Sequence, residues 1–326
     1  MKLILNEFGS YLSKQENRFV IKNKEKKDEY SAENVEQIII SSPSSISEGA
    51  VRLAIEKNID IVYTNFYGKP FARIYPCTLG GTTLTRREQV KAYTNEKGPE
   101  IVRKLFGAKL RNQLFLIKRL NKTRDNLFVE EIKKFEENIK RFEDFSFSDI
   151  EKSRESILGY EGYGASIYFS CLKKIIPFKE RDPKSEDIFN ICLNYGYGIL
   201  YSEIERSCIL SGMDPYLGFL HVDRYGKPSM VLDLVEQFRP IIDRAIINLF
   251  VRKQVSDIDL EKIGEGILLT KEGRTKIIKE VMQSLSNKIS FNGKKLKISQ
   301  IILEQSREIV RFILGQSEEI RTFIWG

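Results

Sequence analysis

Over the first seventy-five residues the apolar positions come in short runs divided by polar turns. Residues 2–8, 11–13, 18–22 and 35–42 are rich in Ile, Val, Leu, Phe or Tyr, at the spacing of strands and turns. One helix interrupts them, with Ser45-x-x-Glu48 as a capping box ahead of Ala50, Val51, Leu53, Ala54 and Ile55. Residues 59–64 then read as a buried strand, 66–70 as a turn, and 71–75 as a further strand. The lysines between Lys22 and Lys27 are diluted by Glu25 and Asp28 and read as a loop. Composition changes at Pro76, Gly80, Gly81 and the neighbouring threonines. Beyond them the apolar period is helical: Val102, Leu105, Phe106, Leu110, Leu114 and Ile117 recur at three- and four-residue steps, as do Val231, Leu234, Val235, Phe238, Ile241 and Ile242. The pattern predicts an α+β protein: a small β-rich domain over 1–76, a linker over 77–84, and a larger all-α domain over 85–326.

A chain of 326 residues has room for two ordinary domains. With 41% hydrophobic and 30% charged residues, neither a disordered nor a fibrous chain is expected. No apolar run approaches the ~20 residues that span a bilayer, and Met1–Glu7 is too short and too soon acidic for a signal peptide. A soluble, cytoplasmic protein with no membrane partner is the expectation. Cys77, Cys171, Cys192 and Cys208 form no CxxC pair, which excludes a zinc ribbon, and all four read as packing residues. There is one histidine, His221, so chemistry that needs two is excluded.

The net charge is +8, and it is uneven. Arg103, Lys104, Lys109, Arg111, Lys118, Arg119, Lys122 and Arg124 share one helical stretch without an acid among them. Eight like charges repel unless an anion lies alongside, so contact with a nucleic-acid backbone is expected; a solvated face is the alternative.

Three fragments carry candidate chemistry. His221 follows the helix breakers Gly212, Pro215 and Gly218 and sits on a loop or at the start of an element. Asp233 and Glu236 stand three apart on a helix, on one face among apolar neighbours. Inward acids beside an imidazole are costly unless a cation neutralises them or an Arg pairs with them. Glu161 lies alone in the apolar, glycine-rich stretch Ser156–Ser166 and also needs a partner. Together they form a mixed nitrogen and oxygen ligand set suited to Mg²⁺ or Mn²⁺. Tyr160, Tyr163, Tyr195 and Tyr197 could serve as nucleophiles or stacking platforms, but their spacing suits packing better. Asn190 and Asn194 read as hydrogen-bonding residues at the helix ends around the site.

Leu158-Gly159-Tyr160-Glu161-Gly162 resembles the glutamate motif of the CRISPR-associated integrase family, CRISPR-associated protein one. Asp187-x-x-Asn190 with Leu193–Tyr201 resembles its central motif, and Gly212–His221 its histidine motif. Gly226-Lys227-Pro228-Ser229 through Leu232–Pro240 resembles its acidic helix. Order and spacing agree over essentially the whole chain. The resemblance implies a metal-dependent DNA endonuclease and integrase that inserts foreign DNA as spacers into a CRISPR array, by attack of a 3′-hydroxyl on a phosphodiester. It implies Glu161, His221 and Glu236 as metal ligands and Asp233 as the accessory acid. It also implies double-stranded and branched DNA as substrates, a homodimer joined through the β domains, and CRISPR-associated protein two as partner. Two positions depart from the pattern: Glu236 where many relatives have Asp, and Lys227 where Arg is common. The rival readings are a branched-DNA repair nuclease and a non-catalytic DNA-binding scaffold.

Overall fold

The alternating runs at the start of the chain become strands because each carries one buried face. In the computed structural model, which describes residues 1–24, 26–65, 67–77, 81–222, 224–264 and 266–325, the chain divides into two units, Met1–Leu79 and Gly80–Gly326. The first holds β1 (Lys2–Leu5), β2 (Ser10–Gln15), β3 (Arg18–Lys22), β4 (Lys27–Ser31), β5 (Gln37–Ile40), β6 (Ser44–Ile46), α1 (Glu48–Glu56), β7 (Asp60–Thr64) and β8 (Pro70–Ile74). They form two four-stranded sheets, ordered β1-β5-β7-β8 and β4-β3-β2-β6. The first is parallel except for β8, which pairs antiparallel with β7. Leu3, Leu5, Leu12, Phe19, Ile38, Ile40, Leu53 and Ile61 make its core.

Three details differ from the sequence pattern. The lysine-rich stretch after Lys22 holds an edge strand, β4, whose residues KDEYS are exposed or half-buried. It is recruited by pairing with β3, not by burial, so no apolar alternation marks it. The helix cap is Ser47, whose hydroxyl accepts from the Ala50 N–H at 3.2 Å, while Ser45 lies in β6. The linker expected over 77–84 includes Thr78–Gly80, which lie outside the described residues, as does Phe66 in the expected turn; Thr82 already opens a helix.

The second unit contains α2 (Thr82–Thr94), α3 (Lys97–Lys122), α4 (Val129–Asp144), α5 (Ile150–Lys173), α6 (Ile188–Leu210), α7 (Ser229–Val235), α8 (Arg239–Val251), α9 (Lys271–Ser286) and α10 (Ile298–Ile313). The helix α6 is apolar nearly all round, as a helix in the middle of a core must be, and it packs against α7, α8, α9 and α10. On α3 the residues Val102, Leu105, Phe106, Leu110 and Ile117 are buried, as their period requires. The unit is mainly helical but not all-α. It also carries two small hairpins: β9 (Leu260–Ile263) with β10 (Gly266–Leu269), and β11 (Lys288–Phe291) with β12 (Lys294–Lys297). The second hairpin did have a signal, since Asn292-Gly293 occupies the left-handed region at φ 48° and 74°, the requirement of a tight hairpin turn.

Glycines on two helices separate packing from propensity. A Cβ at Gly196, inside α6, would lie 2.6 Å from the Ile242 side chain, whereas one at Gly162, on the open face of α5, would meet nothing within 4 Å. Gly162→Ala should raise stability by roughly 0.5–1 kcal/mol through helix propensity. Gly196→Ala should lower it by roughly 1–3 kcal/mol, because overpacking outweighs the same gain. Urea denaturation of the two variants checks both signs, and equal shifts would contradict the α6–α8 packing described.

Candidate active site

Three helical elements bring opposite charges together inside the second unit. Glu161 lies midway along α5, Lys109 midway along α3, and Glu236 opens the 3₁₀ turn Glu236–Phe238 that joins α7 to α8. The Lys109 ammonium contacts both Glu161 Oε1 and Glu236 Oε2. Arg239, the first residue of α8, donates from Nε to Glu236 Oε1 at 2.9 Å and from Nη2 to the Tyr201 hydroxyl at 2.9 Å, with its guanidinium 4.7 Å from the Tyr197 ring centroid. Burial alone would raise the Glu236 carboxyl, but Arg239 and Lys109 outweigh it and hold it near a pKa of about 2. Burial would likewise lower the Lys109 ammonium, and Glu236 and Glu161 raise it instead. Glu236 is therefore charged, and two protein cations, Lys109 and Arg239, neutralise it.

His221 stands on the loop between α6 and α7, folded around one carboxylate. Asp233 Oδ2 accepts from the Phe219 N–H at 2.5 Å and the Leu220 N–H at 3.0 Å; its Oδ1 accepts from the His221 N–H at 3.0 Å and lies 2.6 Å from His221 Nδ1. An ionised carboxylate can only accept, so this arrangement puts the ring proton on Nδ1 and leaves the Nε2 lone pair available. Gly218 is needed in the loop, since a Cβ there would lie 2.6 Å from Ser229 Cβ and 2.7 Å from its carbonyl carbon. Further back, Gln89 on α2 donates to the carbonyls of Asp214 and Leu217 and accepts from the Asp214 N–H. Arg154 on α5 donates to the Leu220 carbonyl at 2.9 Å.

These residues fit a divalent cation, with one adjustment. Two carboxylates from separate elements already flank a single positive charge, and an anchored imidazole stands nearby, with the Phe106 ring 6.3 Å from it and 6.0 Å from the Lys109 ammonium. Glu236 Oε2 is buried and touches Lys109 without accepting a well-directed hydrogen bond. Hard oxygen donors plus one nitrogen suit Mg²⁺ or Mn²⁺. As they stand, no three His, Cys, Asp or Glu among the described residues are placed to hold an ion. The Lys109 ammonium lies between the two carboxylates.

The sequence reading paired Asp233 with Glu236 as inward acids needing one cation. In the structure they part: Asp233 is satisfied by backbone amides and the imidazole, Glu236 by Lys109 and Arg239. Arg239 was legible as the i+3 neighbour of Glu236; Lys109 was not. The expectation that Lys109 lies on a phosphate-binding surface is corrected, because its side chain is 7% exposed and turned inward. Arg103 donates to the Phe145 carbonyl at 2.8 Å, and Lys104 lies 3.5 Å from Glu100. Arg111 pairs with Glu143 and Lys118 with Glu136, both acids on α4. Arg124 donates to the Leu120 carbonyl. Arg119 and Lys122 stay exposed without such partners among the described residues. The stretch is acid-free in sequence only, since the neighbouring helix supplies its counter-charges.

Tyr195 and Tyr197 are buried, and burial pushes the Tyr195 hydroxyl up to about 12 and that of Tyr197 well above its ordinary value, which does not suit a nucleophile. Tyr160 packs against Phe142 and Phe145, and Tyr163 is half exposed. Asn190 and Asn194 accept from Arg181 at 2.6 and 2.7 Å and tie the 180–187 segment to the start of α6. Cys171, Cys192 and Cys208 are buried as expected; Cys77 is exposed and does not pack. Asp243 is buried between the hydroxyls of Tyr168 and Tyr197, and burial outweighs those hydrogen bonds to raise its carboxyl to about 6. Among the described residues no helix is long and apolar enough to cross a membrane.

The family model described as CRISPR associated protein Cas1 matches residues 3–283. A CRISPR-associated endonuclease Cas1 of Archaeoglobus fulgidus is 31% identical over 97% of both chains. One from Francisella tularensis subsp. novicida is 32% identical over 93% of this chain and 92% of its own. Among solved structures, a casposase bound to integration product superposes with a TM-score of 0.83 and 26% identity, covering 98% of this chain and 92% of that one. A CAS1 protein from Thermotoga maritima superposes at 0.77 with 20% identity, covering 97% of each, and shows the shared fold.

Replacing Lys109 by Met would leave the half-buried Glu161 without its cation and the buried Glu236 with Arg239 alone. In chelator this should cost about 3–5 kcal/mol, the range for a buried pair that loses one partner. Added Mn²⁺ should then raise the melting temperature of Lys109→Met more than that of the wild type; an equal rise would show that the ammonium and the ion do not share a position. Asp243 gives a second test. A carboxyl that the fold keeps protonated loses stability as pH rises from its unfolded value, about 3.9, to about 6, and is level above that. Relative to Asp243→Asn, the wild type should therefore weaken on the order of 2 kcal/mol between pH 4 and pH 7, measured by denaturant titration at each pH.

Proposed function

The chain belongs to the Cas1 family of CRISPR-associated proteins, and on that premise we propose that it is a divalent-cation-dependent DNA endonuclease and integrase that inserts DNA fragments as spacers into a CRISPR array. The observation that carries the reading is the convergence of Glu161 and Glu236 on one buried positive charge beside His221. Curated relatives named as endonucleases and a neighbour solved with an integration product support a nuclease with strand-transfer chemistry. Complexes titled Cas6-RT-Cas1–Cas2 share the fold, in keeping with CRISPR-associated protein two as partner. A homodimer and branched DNA belong to the same proposal.

Glu161, His221 and Glu236 would hold Mg²⁺ or Mn²⁺. When bound, such an ion polarises a phosphoryl oxygen and stabilises charge on the attacking or leaving oxygen. The protein's own part is positioning. Asp233 holds Nδ1–H of His221 and three loop amides, which fixes the ring with Nε2 free. Arg239 keeps Glu236 ionised and holds its Oε1. With water as acceptor the scissile bond is cut; with a DNA 3′-hydroxyl it is exchanged, and the displaced 3′-hydroxyl leaves. The exposed Arg119 and Lys122 supply charge for the phosphate backbone.

An integration assay with Mn²⁺, a repeat-containing plasmid and a short duplex tests this. Glu161→Ala and His221→Ala should abolish joining while leaving DNA affinity within about threefold. Asp233→Asn should cut the rate less than Glu236→Gln, because it disturbs orientation and not a ligand. Joining at the wild-type rate by Glu161→Ala would refute the site, and cutting without joining would point to a repair nuclease.

A further inference from the structure

Asp187, Asn190, Asn194, Tyr197 and Tyr201 follow one another at steps of three, four, three and four residues, so they share one stripe of α6 and its cap. Most of this helix is buried in the core, where polar side chains are costly unless they find partners. Each member of the stripe finds one. Asp187 accepts from the Asn190 N–H at 2.9 Å. Asn190 and Asn194 hold the two terminal nitrogens of Arg181 at 2.6 and 2.7 Å, and the Arg181 guanidinium lies 5.6 Å from the Tyr197 ring centroid. The Tyr197 hydroxyl donates to the buried Asp243 on α8, which also accepts from the Tyr168 hydroxyl at 2.8 Å. Tyr197 is thus held at its ring and at its hydroxyl.

The stripe ends on Arg239. Three parts of that guanidinium are occupied. Its Nε meets Glu236 Oε1 and its Nη2 meets the Tyr201 hydroxyl, both at 2.9 Å. It lies over the Tyr197 ring at 4.7 Å and the Tyr201 ring at 5.6 Å from their centroids. A planar fork held along two edges and over its face has one orientation. Apart from the bond to Glu236 itself, these contacts come from α6. The place of Glu236 Oε1 is therefore set by α6 as well as by its own turn, and the other oxygen, Oε2, is the one beside Lys109.

We propose that Tyr201 and Tyr197 are positioning residues, which aim Arg239 at Glu236 Oε1 and so fix the direction in which Oε2 faces. Neither tyrosine holds an ion. The consequence for a divalent cation rests on the reading of Glu161, His221 and Glu236 as its ligands. Partners that orient a ligand in this way contribute roughly 10–100-fold in metal affinity or activity.

The test uses the full chain in two arms. In chelator, urea denaturation of Tyr201→Phe, Glu236→Ala and the double variant measures the coupling between the hydroxyl and the carboxylate. The effect of Tyr201→Phe on the unfolding constant should shrink at least threefold once Glu236 is replaced. In the second arm Mn²⁺ is titrated into each protein by calorimetry. Tyr201→Phe and Tyr197→Leu should each weaken Mn²⁺ binding at least fivefold, and Tyr197→Phe, which keeps the ring beside Arg239, should recover most of the loss. A stripe that only anchors α6 would lower the melting temperature without moving the Mn²⁺ affinity. Additive effects in chelator, or an unmoved Mn²⁺ affinity in Tyr201→Phe, would overturn the proposal. Tyr201 is half-buried and its variant keeps the ring, so the test stands should Tyr197→Leu fail to fold. A wild type that takes up no Mn²⁺ would count against the ligand set, and the coupling in chelator would then decide whether the tyrosines place Glu236.

Discussion

The Lys109 ammonium, buried between Glu161 and Glu236, is the contact on which the arrangement of the second unit turns. Each partner belongs to a different element: α3, α5 and the turn between α7 and α8. Burying either carboxylate alone would cost several kcal/mol, so the three elements can close only around a cation. Arg239 completes the neutralisation from the start of α8. Charge balance, and not apolar packing alone, therefore sets the register in which these helices meet.

That balance also explains what the sequence showed and what it hid. The β-then-α division was legible because strand and helix periods differ and the apolar positions follow them. Glu161, His221, Asp233 and Glu236 were legible because polar residues in apolar surroundings need partners. Which partner each takes was not. Asp233 is consumed by the Phe219, Leu220 and His221 amides, and those amides carry no mark in the sequence. Lys109 looked like one of eight basic residues on a long helix. Only its inward position on α3, among Phe106 and Leu110, distinguishes it, and that face is read from the period once the helix phase is known.

Elements defined by pairing were the least legible. The edge strand β4 has charged residues on both faces and gains its conformation from β3. The hairpin of β9 and β10 is short and half polar, so neither period shows in it. The β11–β12 turn is the exception, because Asn-Gly demands the left-handed region whatever surrounds it. Local backbone chemistry survives in the sequence where long-range pairing does not.

Helix α3 shows how one basic run divides its work by direction. Successive residues on a helix point 100° apart, so a run of like charge cannot present a single face. Lys109 turns inward to the carboxylates, while Arg111 and Lys118 meet Glu143 and Glu136 on α4. Arg119, one residue on from Lys118, is exposed and meets no such acid among the described residues. The one-residue step separates a cation that the protein neutralises from one that it does not. Charge counted along the sequence therefore overstates a nucleic-acid footprint, because only the cations left unpaired after folding attract an external phosphate. Along α3 that reduces eight basic residues to the segment around Arg119 and Lys122.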